Sequence, residues 1–221
     1  MTIITVAQRK GGVGKTTIAV NIAGELSRRN YNVALVDSDP QGSACQWAGL
    51  GNLEFPVYEI GLENFDRTTL VNWVREIRSV QADVVVIDTA PGERQVAASM
   101  SIANLILVPC TASGLDIEAT ERTIAIIQAA RRNRSTPLEV ILVPNRIDRR
   151  TLEGQQLENE LRSFGEMVGP AIGHRSAFVR AFATGQSVAE FASGQAADIE
   201  IHMLCDLVVR VLRRSPKSNI R

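Results

Sequence analysis

The chain has 221 residues, 24 of them basic and 24 acidic, and no formal net charge. That length reads as one domain, 1–221, able to bury a core without disulfides or a structural metal. The zero balance excludes a protein that coats nucleic acid through its overall charge and leaves any such contact to a local patch. Cys45, Cys110 and Cys205 are scattered and form no CxxC pair, which argues against a zinc site and for buried thiols in a reducing cytoplasm. The apolar run before Arg9 and Lys10 is too short for a signal peptide, and no later run approaches the roughly 20 residues of a membrane span. A cytoplasmic protein is the expectation.

In chain order, nearly continuous apolar runs at 3–7, 32–37, 83–88, 105–109 and 140–144 predict strands buried on both faces. Weaker strand signals lie at 56–60 and 167–172. Helical spacing predicts helices over 16–29, 69–79, 117–132, 152–164 and 198–213. The alternation predicts an α/β fold, a doubly wound and mostly parallel sheet flanked by helices. No repeat or low-complexity linker divides the chain, and 215–221 reads as a loose tail.

The first predicted strand runs into Lys10-Gly11-Gly12-Val13-Gly14-Lys15-Thr16-Thr17, and a helix opens behind it. This is a loose form of the P-loop pattern GxxxxGK[ST]. Its glycines let backbone N–H groups turn inward around phosphate oxygens, and the helix start adds its positive end. Lys15 is placed to reach the β- and γ-phosphates, and the Thr16 hydroxyl to ligate Mg²⁺. Only Lys10, Lys15 and Lys217 are lysine among the 24 basic residues, so the ammonium group itself is wanted in this loop. The strand–loop–helix context argues against a bare glycine turn.

Two further strand ends carry acids. Asp37 and Asp39 stand in Asp37-Ser38-Asp39-Pro40-Gln41, and Asp88 ends Val84-Val85-Val86-Ile87 in the Walker B arrangement, where a carboxylate holds the Mg²⁺ shell. Ligands of open α/β sheets sit at the carboxyl ends of strands. A lone Asp there reads as a turn residue or cap; three beside a P-loop read as a site.

KGGVGKTT with its extra lysine, DSDPQG and IDTAPG together resemble the deviant Walker A ATPases of the ParA/MinD group. The likeness covers nearly the whole chain, through Leu107-Val108-Pro109, Phe178-Val179-Arg180 and Gly185-Gln186-Ser187-Val188. With no helix-turn-helix stretch before the P-loop, it resembles the small ParA subgroup that includes the plasmid protein ParF. It departs from ParA proteins in having one proline after the Walker B acid, at Thr89-Ala90-Pro91, with no expected loss of function.

The resemblance implies a P-loop ATPase of weak intrinsic activity that takes ATP or ADP with Mg²⁺. It implies phosphate binding by Gly11, Gly12, Val13, Gly14, Lys15, Thr16 and Thr17, and metal binding by Thr16, Asp37 and Asp88. Lys10 would cross a dimer interface to the partner's nucleotide, so that ATP joins two subunits; Lys10 and Lys15 would stabilise the transferred charge. Asp39 would position the attacking water, and Asn145, with Arg146 beside it, would read adenine. The implied partners are a second copy, DNA bound without sequence preference, and a ParB-like or other cargo adaptor that stimulates hydrolysis. The implied role is plasmid or chromosome partition, with the ATP form on the nucleoid.

The DNA candidates are Arg175, Arg180, Arg213, Arg214 and Lys217, with Arg210 and Arg221 near them and Arg149 and Arg150 adding to the surface; each also reads as part of a solvated face. His174 and His202 read as structural or exposed. Positioning of a protein organelle stays open. A MinD-like membrane switch would use the stripe Ile199, Ile201, Leu204, Leu207, Val208, Val211 and Leu212, a stripe that is also the usual core side of a terminal helix. An iron–sulfur reductase is disfavoured because 91–96 carries no cysteine.

Overall fold

The computed structural model describes residues 1–62 and 64–214. The predicted tail at 215–221, with Lys217 and Arg221, lies outside the described residues. Seven strands form one sheet: β1 (Thr2–Val6), β2 (Val33–Ser38), β3 (Val57–Glu59), β4 (Val84–Thr89), β5 (Leu105–Cys110), β6 (Glu139–Pro144) and β7 (Met167–Val168). Their order is β3-β2-β4-β1-β5-β6-β7, and every pairing is parallel. The expected mostly parallel sheet is therefore parallel throughout its described strands. From β1 the chain passes over β4 to β2, and from β4 it passes over β1 to β5, so the carboxyl ends of β1 and β4 flank the switch point where such sheets place ligands.

The helices are α1 (Lys15–Arg28), α2 (Ser43–Ala48), α3 (Arg67–Ser79), α4 (Glu93–Met100), α5 (Gly114–Arg132), α6 (Leu152–Arg162), α7 (Ser176–Thr184), α8 (Val188–Phe191) and α9 (Ala196–Arg214). Successive strand side chains face opposite sides, and the core divides accordingly. Ile4, Val6, Leu35, Val84, Val86 and Leu107 pack on one face with α1 and α9. On the other face, Ile106, Val108 and Leu142 meet α5 and α6, while Ala34, Val36, Val85 and Ile87 meet α3. Both faces being covered is why these strands read as unbroken apolar runs.

The stripe on α9 belongs to this core. Ile201, Leu204, Val208 and Leu212 are fully buried, and only Ile199 of its large residues is half exposed. The apolar face proposed for a membrane is thus turned inward. No helix among the described residues is long and apolar enough to cross one.

Helix α1 carries the P-loop at its start and is seated by a close approach at its middle. A Cβ on Gly24 would stand 2.5 Å from the Ser187 Cβ, and Ser187 is the buried cap of α8, held by a capping box with Glu190. Alanine is the better helix former by about 1 kcal/mol, but overpacking a filled core costs about 1–3 kcal/mol. Gly24→Ala is therefore expected to lower stability by up to roughly 2 kcal/mol, read as a lower midpoint in urea; a raised midpoint would show that α8 yields.

Candidate functional site

The loop between β1 and α1 crosses the switch point, and two of its glycines hold backbone angles that side chains resist: φ is 78° at Gly12 and 93° at Gly14. Alternating conformations of this kind gather successive N–H groups into an anion cradle. Lys15, buried, bends back so that its ammonium donates to the Lys10 carbonyl at 3.2 Å. Burial pulls its pKa below the ordinary lysine value, and the charges of Asp88 and Asp39 work against that pull.

Asp88 is the penultimate residue of β4, in register with Asp37 on the neighbouring β2. Its Oδ2 accepts from the Thr16 hydroxyl at 2.6 Å, while its Oδ1 is buried without a hydrogen-bond partner among the described residues. Burial lifts its pKa to about 7, opposed by the Thr16 hydrogen bond and raised further by the charge of Asp37. A buried carboxylate oxygen with an open valence beside a hydroxyl is hard-oxygen chemistry that suits Mg²⁺.

Asp37 and Asp39 divide their work. The Asp37 carboxylate accepts from the N–H groups of Ala44 and Cys45, both at 2.9 Å, and of Asp39 at 3.1 Å. It thereby fixes the loop and the first turn of α2, beside Asp88 in the sheet register. Asp39 is half buried, accepts from the Gln41 N–H at 3.0 Å, and lines the same cleft as Lys15 and Thr16.

That cleft has a volume of about 710 Å³. Its far wall holds Asn145 and Arg146 after β6, and Gly173, His174, Arg175 and Phe178 at the start of α7. Asn145 is buried, and its amide donates to the Val13 carbonyl at 2.7 Å. A carbonyl can only accept, so the nitrogen of Asn145 faces the loop and its Oδ1 is the atom left over. Arg146 donates to the Gly12 carbonyl at 2.7 Å.

Lys10 points elsewhere. Its ammonium pairs with the buried Asp116 in the first turn of α5, which Thr111 also holds through its hydroxyl. Just before it, the buried Gln8 side chain donates to Thr120 at 2.9 Å and accepts from Thr123 at 2.6 Å and from the Arg9 N–H at 2.8 Å. The front of the P-loop is so tied to α5 while Lys15 serves the cradle.

The arginines expected on a DNA surface fall in separate places. Arg175 lines the cleft and donates to Glu200 at 2.6 Å, and Arg180 lies 5.3 Å from the centre of the Phe191 ring. Arg213 and Arg214, with Arg210, line a groove beside Arg29, Asn30 and Tyr31. That groove lies at the C-terminal end of α1, about 20 Å of helix from the P-loop. Among the described residues, Arg210, Arg213 and Arg214 join no ion pair, although Asp206 borders the groove and pairs with Arg29.

Asp116, Gln8 and the α7 wall are the contributors that sequence reading passes over. An acid in a helix's first turn reads as a match for the helix dipole, and nothing in its spacing announces Lys10. Cys110 and Cys205 are buried and Cys45 partly so, all three as free thiols, and burial pushes their pKa values to about 11 or 12.

Residues 4–188 match the family described as CbiA, the CobQ/CobB/MinD/ParA nucleotide binding domain. The "Maintenance of carboxysome distribution protein A" of Halothiobacillus neapolitanus is 30% identical over 210 residues, covering 93% of this chain and 95% of that one. The "Chromosome-partitioning ATPase Soj" of Thermus thermophilus is 31% identical over 195 residues, covering 75% and 78%. The solved structure of apo McdA from Cyanothece shares the fold with a TM-score of 0.78 at 17% identity, covering 94% of this chain and 99% of that one. With the glycine loop at the switch point, the acids at the strand ends and the match over residues 4–188 together, the chain belongs to the CobQ/CobB/MinD/ParA nucleotide-binding family.

Proposed function

We propose that this protein is an ATP-driven positioning switch that pairs with a second copy on ATP, binds DNA without sequence preference in that state, and is released when a partner protein stimulates hydrolysis. The observation that carries this is the division between two lysines in one loop. Lys15 is buried over the cradle, whereas Lys10 is one-third exposed and lies along the loop's front, against Asp116. A lysine so placed adds nothing to its own cradle, and exchanging its Asp116 partner would let it serve a facing subunit's phosphates.

In this reading the cradle of Gly11, Gly12, Val13, Gly14, Lys15, Thr16 and Thr17 holds the phosphates. Asp88 and Thr16 hold Mg²⁺, which when bound neutralises charge on the β- and γ-phosphates. Asp37 shapes the loop beside them. Asp39 orients the attacking water, and Lys10 and Lys15 stabilise the charge that develops on the phosphoryl oxygens. The free Oδ1 of Asn145 is an acceptor that suits the amino group of adenine and repels the carbonyl of guanine, which favours ATP over GTP. For DNA the reading rests on Arg210, Arg213 and Arg214, which join no ion pair among the described residues; Arg175 and Arg180 are engaged locally.

On the cargo, the relative named for carboxysome distribution is similar over 95% of its length, and this favours a second form of the reading, in which the cargo is a protein body. The relative named for chromosome partitioning favours DNA cargo.

The experiment is an electrophoretic shift of DNA with ATP, ADP or no nucleotide across a salt series, run beside light-scattering mass measurement. Binding is expected with ATP alone, on any sequence, and weakening steeply with salt as counterions are released. Lys10→Ala is expected to abolish both the ATP-dependent dimer and the shift. A Lys10→Ala protein that dimerises on ATP and hydrolyses it normally would overturn the proposal.

A further inference from the structure

We infer that Arg146 is a positioning residue for phosphate binding, acting on the P-loop backbone rather than on the nucleotide base. The inference rests on the cradle reading above and adds to it the element that sets the cradle's shape.

The segment just after β6 straps two consecutive P-loop carbonyls. Arg146 Nη1 takes the Gly12 oxygen and Asn145 Nδ2 takes the Val13 oxygen, each at 2.7 Å. In a trans peptide the carbonyl and the following N–H point in opposite directions. Holding the Gly12 carbonyl outward therefore fixes the Val13 N–H on the opposite side of its peptide plane, and holding the Val13 carbonyl does the same for the Gly14 N–H. Oriented N–H groups of this kind bind phosphate without having to reorganise when it arrives.

The strap is built under constraint. Arg146 has φ of 55°, a left-handed conformation rare for a side chain of that size. Its neighbours impose it: the Asn145 N–H is bound to the Cys110 carbonyl at 2.8 Å, and Ile147, buried, is bridged to the Ile172–His174 backbone on both its N–H and its carbonyl. Strain of this kind persists where the surroundings over-determine it and clusters at functional sites. The strap also explains Gly14. A Cβ there would stand 2.3 Å from the Asn145 amide nitrogen, so the glycine is required by the strap's approach as well as by its own φ.

The test is competition of tripolyphosphate and of adenosine against a fluorescent ATP analogue, for the wild type and for Arg146→Ala, Arg146→Gly and Arg146→Lys. Arg146→Ala and Arg146→Gly are each expected to weaken tripolyphosphate by roughly five- to tenfold, the size of one charge-assisted hydrogen bond at an exposed site, and to leave adenosine unchanged. Arg146→Lys, which keeps a cationic donor, is expected to restore most of the affinity. Arg146→Gly removes the left-handed strain and is expected to melt higher than Arg146→Ala. Equal phosphate loss in those two variants, despite unequal melting, separates the strap from a purely structural role. Unchanged tripolyphosphate affinity in Arg146→Ala, or a loss confined to adenosine, overturns the inference. A wild type that fails to bind tripolyphosphate at all overturns the cradle reading, and the inference with it.

Discussion

Asp39→Ala is expected to slow ATP hydrolysis by roughly 10²–10⁴-fold, the range for removing a group that positions or activates a nucleophile, while ATP affinity changes by less than about threefold. The asymmetry follows from placement. Asp39 stands half buried on the wall of the cleft, and among the described residues its carboxylate accepts a hydrogen bond from the Gln41 N–H within its own turn. It is not part of the glycine cradle or of the Thr16–Asp88 pair, so phosphate and metal binding survive its loss. In the dimer reading such a variant accumulates the ATP-bound pair, seen as a persistent dimer after ATP addition. Single-turnover hydrolysis and equilibrium ATP binding are the paired measurements. A variant that loses binding and turnover by the same factor would move Asp39 from water positioning to nucleotide holding.

Asp88→Asn is expected to abolish Mg²⁺-dependent hydrolysis, by more than about 100-fold, and yet to raise the melting temperature of the protein free of nucleotide and metal at pH 8. Asp88 is fully buried, with one oxygen lacking a hydrogen-bond partner among the described residues, and burial lifts its pKa from 3.8 to about 7. A raised carboxyl pKa means that the folded state holds this proton more tightly than the unfolded chain does. The stability it contributes is complete below the unfolded value, is lost as pH rises from about 4 through about 7, and is absent above that. An upward shift of about three units corresponds to at most ~4 kcal/mol at 1.36 kcal/mol per unit. Asparagine keeps an acceptor for the Thr16 hydroxyl and carries no charge to desolvate. Its advantage is therefore expected to be large at pH 8 and near zero at pH 4. A lower melting temperature at pH 8 would show that the ionised carboxylate stabilises the metal-free fold. The two outcomes together would set function against stability at this residue, the pattern expected where a charge is kept for a cation.

The central strands were legible in the chain because a strand covered on both faces has to be apolar along its length, and the runs ending at Asp37 and Asp88 are of that kind. The P-loop was legible because strand, glycines, lysine and hydroxyl are consecutive, so the local chain alone brings them together. The short helices α2, α4, α7 and α8 were not. A helix of four to nine residues is marginal by itself, and these are stabilised from a distance: the Val188 N–H at the start of α8 is satisfied by Asn21 of α1 at 2.8 Å, and Trp47 of α2 packs edge-on against Phe182 of α7 with ring centres 5.2 Å apart.

The same division runs through the site. The sequence by itself determined the parallel sheet, the phosphate loop and the acids at the strand ends, since each is written in adjacent residues whose period or geometry is local. Only the tertiary structure decided what those residues touch. It turned Asp37 toward the start of α2, set Lys10 against Asp116 more than a hundred positions away, and directed the amide of Asn145 and the guanidinium of Arg146 onto the P-loop backbone. Apart from the local turn at Asp37, those pairings carry no sequence spacing because they form between loops at the carboxyl ends of strands one or two places apart in the sheet and distant in the chain. The strand order β4-β1-β5-β6, fixed by the packing of helices on both faces, is what brings them within hydrogen-bond reach.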